Sequence, residues 1–309
     1  MCDLRFLRGR KRQDNKSDIF KSVKVNGFLN LYKPAGVSSA HILNAVKKSV
    51  RGVSVGHMGT LDPLASGVLP VAFGKSTRLF DFLLDKEKIY VARFAFGYST
   101  DTLDLEGKAE ERTEVIPTEE EILEVLPSFC GEISQIPPVF SAKCVNGKRS
   151  YELARKGQAV DLPAKKVFIE YVKILKKTEK NEYEFEIKCK GGTYIRSIAR
   201  DLGKACGSLA TMTSLVRTKS GIFDVKDSVT AETFVNASDK NSLLIKPENV
   251  VDYPVIKLTE KESERLFNGL YDVFDVNDGI YRIFTPDSFY GVGIATGGKI
   301  KVKAYLRDD

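Results

Sequence analysis

Residues 56–67 constrain the fold of this chain more than any other segment, and they read Gly-His-Met-Gly-Thr-Leu-Asp-Pro-Leu-Ala-Ser-Gly. Three glycines and a proline surround one aspartate, Asp62, and one of the two histidines of the chain, His57. Glycine accepts backbone angles that other residues resist, and proline fixes its own. The run therefore predicts a shaped loop that presents Asp62, and not the interior of a helix or strand.

Two interpretations of Asp62 are compatible with this loop. A presented carboxylate can act as a nucleophile or as a general base. Alternatively, Asp62 caps an ordinary tight turn that continues through Pro63, as aspartate does in many turns. The spacing of the segment alone leaves both interpretations open.

Composition limits the class of protein. A length of 309 residues is enough for about two domains of roughly 150 residues each. No apolar run reaches the ~18 residues of a membrane helix. The five cysteines form no Cys-x-x-Cys pair, which argues against a zinc site and favours a reducing compartment. We expect a soluble, cytoplasmic protein without a metal.

The net charge of +7 is distributed unevenly. Residues 1–24 carry eight basic and three acidic side chains, which predicts a flexible basic arm over 1–23. Between residues 143 and 180 there are eleven lysines and arginines against four acidic residues. A positive stripe of this kind is typical of proteins that bind a phosphate backbone, although a solvated protein face can look the same.

Short strands and helices without a regular βαβ alternation predict an α+β fold. Prolines and glycines interrupt residues 135–164, which predicts a long functional insert. Closely spaced strands between 280 and 305 predict a small β-barrel-like module. The predicted strands lie at 27–32, 68–73, 90–97, 167–176 and 183–190. A first helix is predicted to begin at Ser38 or Ser39. Two further helices are predicted over 118–126 and 194–206. The predicted units are the arm 1–23, a main domain 24–248 and a C-terminal module 249–309.

Six segments resemble motifs of the TruB family, the synthases that make pseudouridine 55 in the T loop of tRNA. They occur along the chain in the same order as the motifs of the family. The stretch from Gly56 to Leu69 resembles the family signature and is the most specific of the six. The other five segments are 33–39, 88–90, 100–107, 137–142 and 192–197. The resemblance implies the pseudouridine synthase fold, with a mixed, mainly antiparallel central sheet. It also likens the last sixty residues to the PUA-type RNA-binding module.

The resemblance implies an isomerase that needs no cofactor. The enzyme breaks the N1–C1′ bond of uridine, rotates the uracil and rejoins it through C5. Asp62 would be the nucleophile, at either C1′ or C6, and Arg196 would keep it ionised. Tyr90 would stack on the target base, and base stacking on an aromatic ring is worth ~1–3 kcal/mol.

Further residues receive substrate-binding roles from the same resemblance. His57 would occupy the space left by the extruded nucleotide, and Asp101 would organise the pocket by hydrogen bonding. Tyr194 and Leu215 would line the pocket, and Lys33 and Arg217 would contact phosphates. Contacts to the RNA backbone would come from Lys143, Lys148, Arg149, Arg155 and Lys156.

The implied partner is the T-stem loop of tRNA, bound by a monomer with its target base flipped out of the stack. Two rivals stay open at this point. One is a relative that acts on other RNA, including a guide-directed synthase. The other is an RNA-binding protein that has lost catalysis, against which the presence of Asp62, Tyr90 and Arg196 argues.

Overall fold

The computed structural model describes residues 25–141, 144–145, 148–149, 162–270 and 273–306. The predicted basic arm and most of the predicted insert lie outside these residues. Within them, strands and short helices alternate irregularly, which confirms the α+β prediction.

Five α-helices and seventeen strands are present in the described part of the chain. The helices are α1 (Ser39–Ser49), α2 (Glu119–Val125), α3 (Ile195–Ala205), α4 (Ala231–Asn236) and α5 (Glu260–Phe267). The first strands are β1 (Gly27–Lys33), β2 (Val55–His57), β3 (Ser66–Phe73), β4 (Lys88–Phe96), β5 (Tyr98–Thr100), β6 (Ala109–Arg112), β7 (Gly131–Gln135), β8 (Cys144–Val145) and β9 (Lys148–Arg149). The remaining strands are β10 (Lys165–Glu179), β11 (Glu182–Cys189), β12 (Ala210–Ser220), β13 (Phe223–Asp224), β14 (Val255–Lys257), β15 (Gly279–Phe284), β16 (Phe289–Thr296) and β17 (Lys299–Tyr305).

A nine-stranded sheet forms the centre of the molecule, in the order β1-β3-β12-β4-β11-β10-β7, with β2 paired to β3 and β13 to β12. Only the pair of β3 and β12 is parallel, so the sheet is mixed and mainly antiparallel, as predicted. Alternate side chains of β4 point into the core, from Tyr90 through Ala92 and Phe94 to Phe96. This period of two is the pattern that the sequence predicted for the strand.

Local sequence explains where two of the helices begin. Ser38 caps α1, since its hydroxyl accepts a hydrogen bond from the His41 amide at 3.2 Å. Thr118 and Glu121 form a reciprocal capping box at the start of α2. The preferred capping residues thus satisfy amides that have no partner within the helix.

The C-terminal module differs from the prediction, because no closed barrel is found among the described residues. Strands β14 to β17 form an open four-stranded sheet in sequence order, with a parallel pair of β14 and β15. One face of this sheet shares a hydrophobic cluster with the main domain, in which Val292 and Leu306 join Phe28 and Met58. Packing on the main domain buries this face without closure of the sheet.

Two further structural findings concern the insert and the membrane. Strands β8 and β9 pair with each other inside the predicted insert. No helix among the residues that the structure describes is long and apolar enough to span a bilayer.

Candidate active site

The loop that carries Asp62 connects β2 to β3 and is held from several sides. The hydroxyl of Ser39, at the start of α1, donates to the Leu61 carbonyl at 2.8 Å and accepts from the Leu61 amide at 3.0 Å. The Gly36 amide donates to the Pro63 carbonyl at 2.8 Å. Gly67, at φ +103°, leaves space for β12, since a Cβ there would meet the Arg217 carbonyl. The sequence-predicted loop is therefore a rigid support for Asp62.

Lys33 anchors the same loop from the end of β1. Its side chain is fully buried, and the three hydrogens of its ammonium are shared among four backbone carbonyls, two in the turn after β1 and two in the Asp62 loop. Burial lowers the pKa of Lys33 to about 8, although Asp62 and Glu106 oppose this shift. The structure corrects the expectation that Lys33 contacts a phosphate, because its ammonium hydrogens are directed at backbone carbonyls. The acceptors are the carbonyls of Pro34 (3.0 Å), Val37 (2.6 Å), Pro63 (3.2 Å) and Ala65 (2.6 Å).

We expect Lys33→Met to lower the free energy of unfolding by about 2 kcal/mol, because buried carbonyls would lose their donor. Turnover should fall as well, because the Asp62 loop loses an anchor. Urea unfolding and single-turnover kinetics measure the two effects. Lys48→Met, on the exposed face of α1, is the matched control and should change stability by only a few tenths of a kcal/mol. Equal stability of the two variants would contradict the anchoring role.

Asp62 forms an ion pair with Arg196, which lies in the first turn of α3. The Nε of Arg196 is 3.0 Å from Oδ2 of Asp62, and the Asp62 side chain keeps 34% of its surface exposed. Burial raises the pKa of Asp62, the Arg196 guanidinium lowers it, and Asp104 raises it. The arrangement therefore presents a partly exposed carboxylate whose charged form a buried guanidinium stabilises.

Asp104 is the residue of this site that sequence reasoning missed. Its side chain is only 3% exposed, and Oδ2 lies 3.4 Å from Nη1 of Arg196. Oδ1 accepts from the Thr102 hydroxyl at 2.6 Å and the Glu106 amide at 3.1 Å. Asp101, which was expected in this role, instead accepts from the Lys108 amide at 2.8 Å. The signal was present as a second aspartate three residues further along the same motif.

Backbone carbonyls complete the fixation of Arg196. Nη1 donates to the Thr102 carbonyl at 2.9 Å, and Nη2 donates to the Phe140 carbonyl at 3.1 Å. Between Thr102 and Asp104 lies Leu103, the only non-glycine residue of the described part with a positive φ, at 62°. Such an angle is strained for a leucine. The strain lies in the turn that presents the Thr102 carbonyl and the Asp104 carboxylate to the Arg196 guanidinium.

Tyr90 and Arg217 form the second layer of the site on the paired strands β4 and β12. Both side chains are buried, at facing positions of the two strands. Burial raises the pKa of Tyr90, and Arg217 opposes this shift. Arg217 also donates to the carbonyls of Val68 at 2.7 Å and Gly59 at 2.9 Å. Like Lys33, Arg217 lies in the interior and bonds backbone carbonyls. The structure therefore also corrects the expectation that Arg217 contacts a phosphate.

The other expected substrate-binding residues surround this centre. His57 is half-buried in β2, its Nδ1 makes no hydrogen bond to a described residue, and burial lowers its pKa. Tyr194 precedes α3 and is fixed by Gln135, which bonds both its amide (2.8 Å) and its carbonyl (3.1 Å). Leu215 lies opposite Ala92 on β12 and is buried. The side chains of Lys143, Lys148, Arg149, Arg155 and Lys156 lie outside the described residues.

Comparison with known proteins identifies the family of the chain. Residues 47–195 match the model of the TruB family pseudouridylate synthase N-terminal domain. Residues 196–247 match the model of the tRNA pseudouridylate synthase B C-terminal domain. The chain belongs to the TruB family. It is therefore a pseudouridine synthase, an isomerase that converts uridine to pseudouridine in tRNA.

Individual relatives agree with this assignment. The tRNA pseudouridine synthase B of Caldanaerobacter subterraneus subsp. tengcongensis is 37% identical over 91% of this chain and 99% of its own length. The tRNA pseudouridine synthase B of Clostridium tetani is 39% identical over 91% of this chain and 100% of its own length. A solved Cbf5-Nop10-Gar1 complex is similar at a TM-score of 0.69 and 26% identity, over 89% of this chain and 83% of that chain.

Proposed function

We propose that this chain isomerises uridine 55 in the T loop of tRNA, as a monomer, with Asp62 as the nucleophile on a flipped-out uridine. The observation that carries the proposal is the pair of Asp62 and Arg196, at 3.0 Å, on a loop that leaves the carboxylate partly exposed. A nucleophilic carboxylate must be ionised, yet burial favours its neutral form. The guanidinium offsets part of the effect of burial on the pKa of Asp62.

The reaction needs no group beyond those of the chain. Asp62 attacks the ribose at C1′ or the uracil at C6, and the N1–C1′ bond breaks. The uracil rotates, C5 bonds to C1′, and the bond between Asp62 and the substrate breaks, which regenerates the carboxylate. C5 then loses its proton to solvent, and N1 takes up a proton. The net change is an isomerisation, because no atom of the uridine is lost apart from exchange of that proton.

Holding the uracil while its glycosidic bond is open is the second requirement. Tyr90 on β4 interacts electrostatically with Asp62, and we infer that its ring stacks on the uracil once the uridine enters, a contact worth ~1–3 kcal/mol. Leu215 lies two residues before Arg217 on β12, the strand next to β4, and adds an apolar contact. The uridine has to leave the base stack, because a loop carboxylate cannot reach a stacked nucleotide.

Recognition of tRNA, and not of a guide-directed substrate, has support from sequence. The relatives named tRNA pseudouridine synthase B are 37% to 39% identical over most of their length. The Cbf5 complex is 26% identical. Phosphate contacts would position the RNA, and the folded shape of the T loop would select it.

Mapping of the product tests the position that we propose. The purified full chain, incubated with unmodified tRNA and no guide RNA, is expected to form pseudouridine at position 55. Chemical labelling followed by primer extension locates the modified residue. A tRNA with cytidine at position 55 is the control and should gain no label. Product at another position, or a requirement for a guide RNA, would overturn the proposal.

A further inference from the structure

A cavity of about 280 Å³ lies beside the catalytic loop and has no part in the chemistry described above. Its wall includes Met58 and Gly59 from that loop, Lys88 from β4 and Lys165 from β10, together with the turn of Gly191 and Gly192. A volume of this size holds several water-sized groups. The cavity is therefore large enough for a phosphodiester and part of its sugar.

Two lysines make the electrostatics of this cavity positive. Lys165 is exposed, and its ammonium makes no ion pair or hydrogen bond to a residue that the structure describes. Lys88 is buried and donates to the carbonyls of Leu84 at 2.9 Å and Lys86 at 3.2 Å. An ammonium has three donors, so one hydrogen of Lys88 has no acceptor among the residues that the structure describes. Asp85 lies at the rim as the one carboxylate among the lining residues.

Backbone shape keeps the cavity open next to these lysines. Gly192 has φ +86°, and a Cβ at this position would lie 2.7 Å from Nζ of Lys165. A larger residue would therefore displace the ammonium from the cavity wall. Glycine is the residue that allows a backbone to approach a ligand closely.

The position of the cavity relates it to the reacting uridine. Lys88 and Tyr90 point to the same face of β4 and are two residues apart, a spacing of about 7 Å. Gly59 lines the cavity, and its carbonyl accepts a hydrogen bond from Arg217, which lies opposite Tyr90 on the paired strand. Gly59 lies three residues before Asp62 on the same loop, so the cavity adjoins the position of a nucleotide held at Asp62.

We propose that the cavity between Lys88 and Lys165 binds a backbone phosphate adjacent to the flipped uridine and so positions that nucleotide. This inference rests on the proposed function, since it takes the RNA strand at Asp62 as the source of the phosphate. Lys165 is a positioning residue and takes no part in bond making. Its contact carries no sequence information, as is usual for phosphate contacts.

The chain offers a matched control, because the next residue on β10 is also a lysine. Lys166 pairs with Glu132 at 2.7 Å on the opposite side of the strand. Lys165→Gln and Lys166→Gln remove the same charge from adjacent exposed positions. Lys165→Arg keeps the charge and serves as the conservative variant.

Binding of an unmodified T-stem-loop RNA to the full chain tests the proposal. Lys165→Gln should weaken binding about tenfold, the effect of losing one charged hydrogen bond. The salt dependence should also become shallower. The magnitude of the slope of log K against log salt should decrease by about 0.7, the value for one phosphate of a single strand. Lys166→Gln should bind like the unsubstituted chain, and Lys165→Arg should regain the slope. Equal affinity and slope for Lys165→Gln and Lys166→Gln would overturn the proposal.

A substrate scan identifies the phosphate itself. Single methylphosphonates, which remove the charge of one phosphate, are placed in turn at each linkage around the target uridine. At one linkage next to this uridine, the unsubstituted chain should lose affinity while Lys165→Gln does not. Equal losses in both proteins at every linkage would refute the assignment. Absence of pseudouridine with the unsubstituted chain would instead refute the proposed function, whatever the binding data show.

Discussion

Asp62→Asn is expected to abolish pseudouridine formation, with a loss of about three orders of magnitude or more, while tRNA binding changes by only a few fold. The amide keeps the shape of the side chain and removes the nucleophilic charge, so binding and chemistry separate. Single-turnover assays with unmodified tRNA measure the rate, and filter binding measures the affinity. Retained turnover would remove Asp62 from the proposed role.

Asp101→Asn is the matched control for this experiment. The Asp101 carboxylate belongs to a neighbouring loop and accepts a hydrogen bond from the Lys108 amide, away from Arg196. We expect it to keep most of its activity. A loss as large as that of Asp62→Asn would show that the first expectation for Asp101, as the organiser of the pocket, was correct.

Arg196→Gln is expected to lower kcat by about a hundredfold or more, the scale of removing a key charged partner from an active site. The guanidinium holds down the pKa of Asp62 against the effect of burial. Without it the pKa rises further, so the ionised fraction falls at any given pH. The acidic limb of the kcat/KM profile should therefore move to higher pH. Rate profiles across the acidic range measure this shift.

Loss of the buried guanidinium also leaves Asp104 without its counter-charge. Breaking a buried pair costs about 3–5 kcal/mol, so the thermal unfolding temperature should fall. Arg196→Lys keeps the charge and should restore part of the stability and of the pH profile. Arg200→Gln is the control, because Arg200 lies one turn further along α3 and pairs with Asp201. This variant should leave the acidic limb in place. An unmoved acidic limb in Arg196→Gln would exclude electrostatic support of Asp62.

The fold was predictable where its signals are local. The alternation of Tyr90, Ala92, Phe94 and Phe96 reports burial of one face of β4, and the structure buries all four. Ser38 before α1 is the type of residue that caps a helix, and it does so. The barrel-like form of the C-terminal module could not be decided in this way. Closure depends on which face another part of the chain covers, and here the main domain covers it.

Charged partners were harder to predict than the residues they serve. Arg196 binds Asp104 and the carbonyls of Thr102 and Phe140, which lie far from it in sequence. The resemblance implied phosphate contacts for Lys33 and Arg217, although lysine and arginine are in general mostly exposed and these two are not. Both are buried because the bend of the catalytic loop turns carbonyls toward them. No local pattern encodes such an encounter.

Local sequence was enough to predict that a glycine- and proline-shaped loop presents Asp62, and that this loop resembles that of a pseudouridine synthase, since backbone angles and ordered motifs are properties of short segments. The folded arrangement was needed to show which groups surround that carboxylate, which lysine anchors its loop, and where a cationic cavity opens beside it. Charge, burial and hydrogen bonding act between atoms that the chain brings together from distant positions.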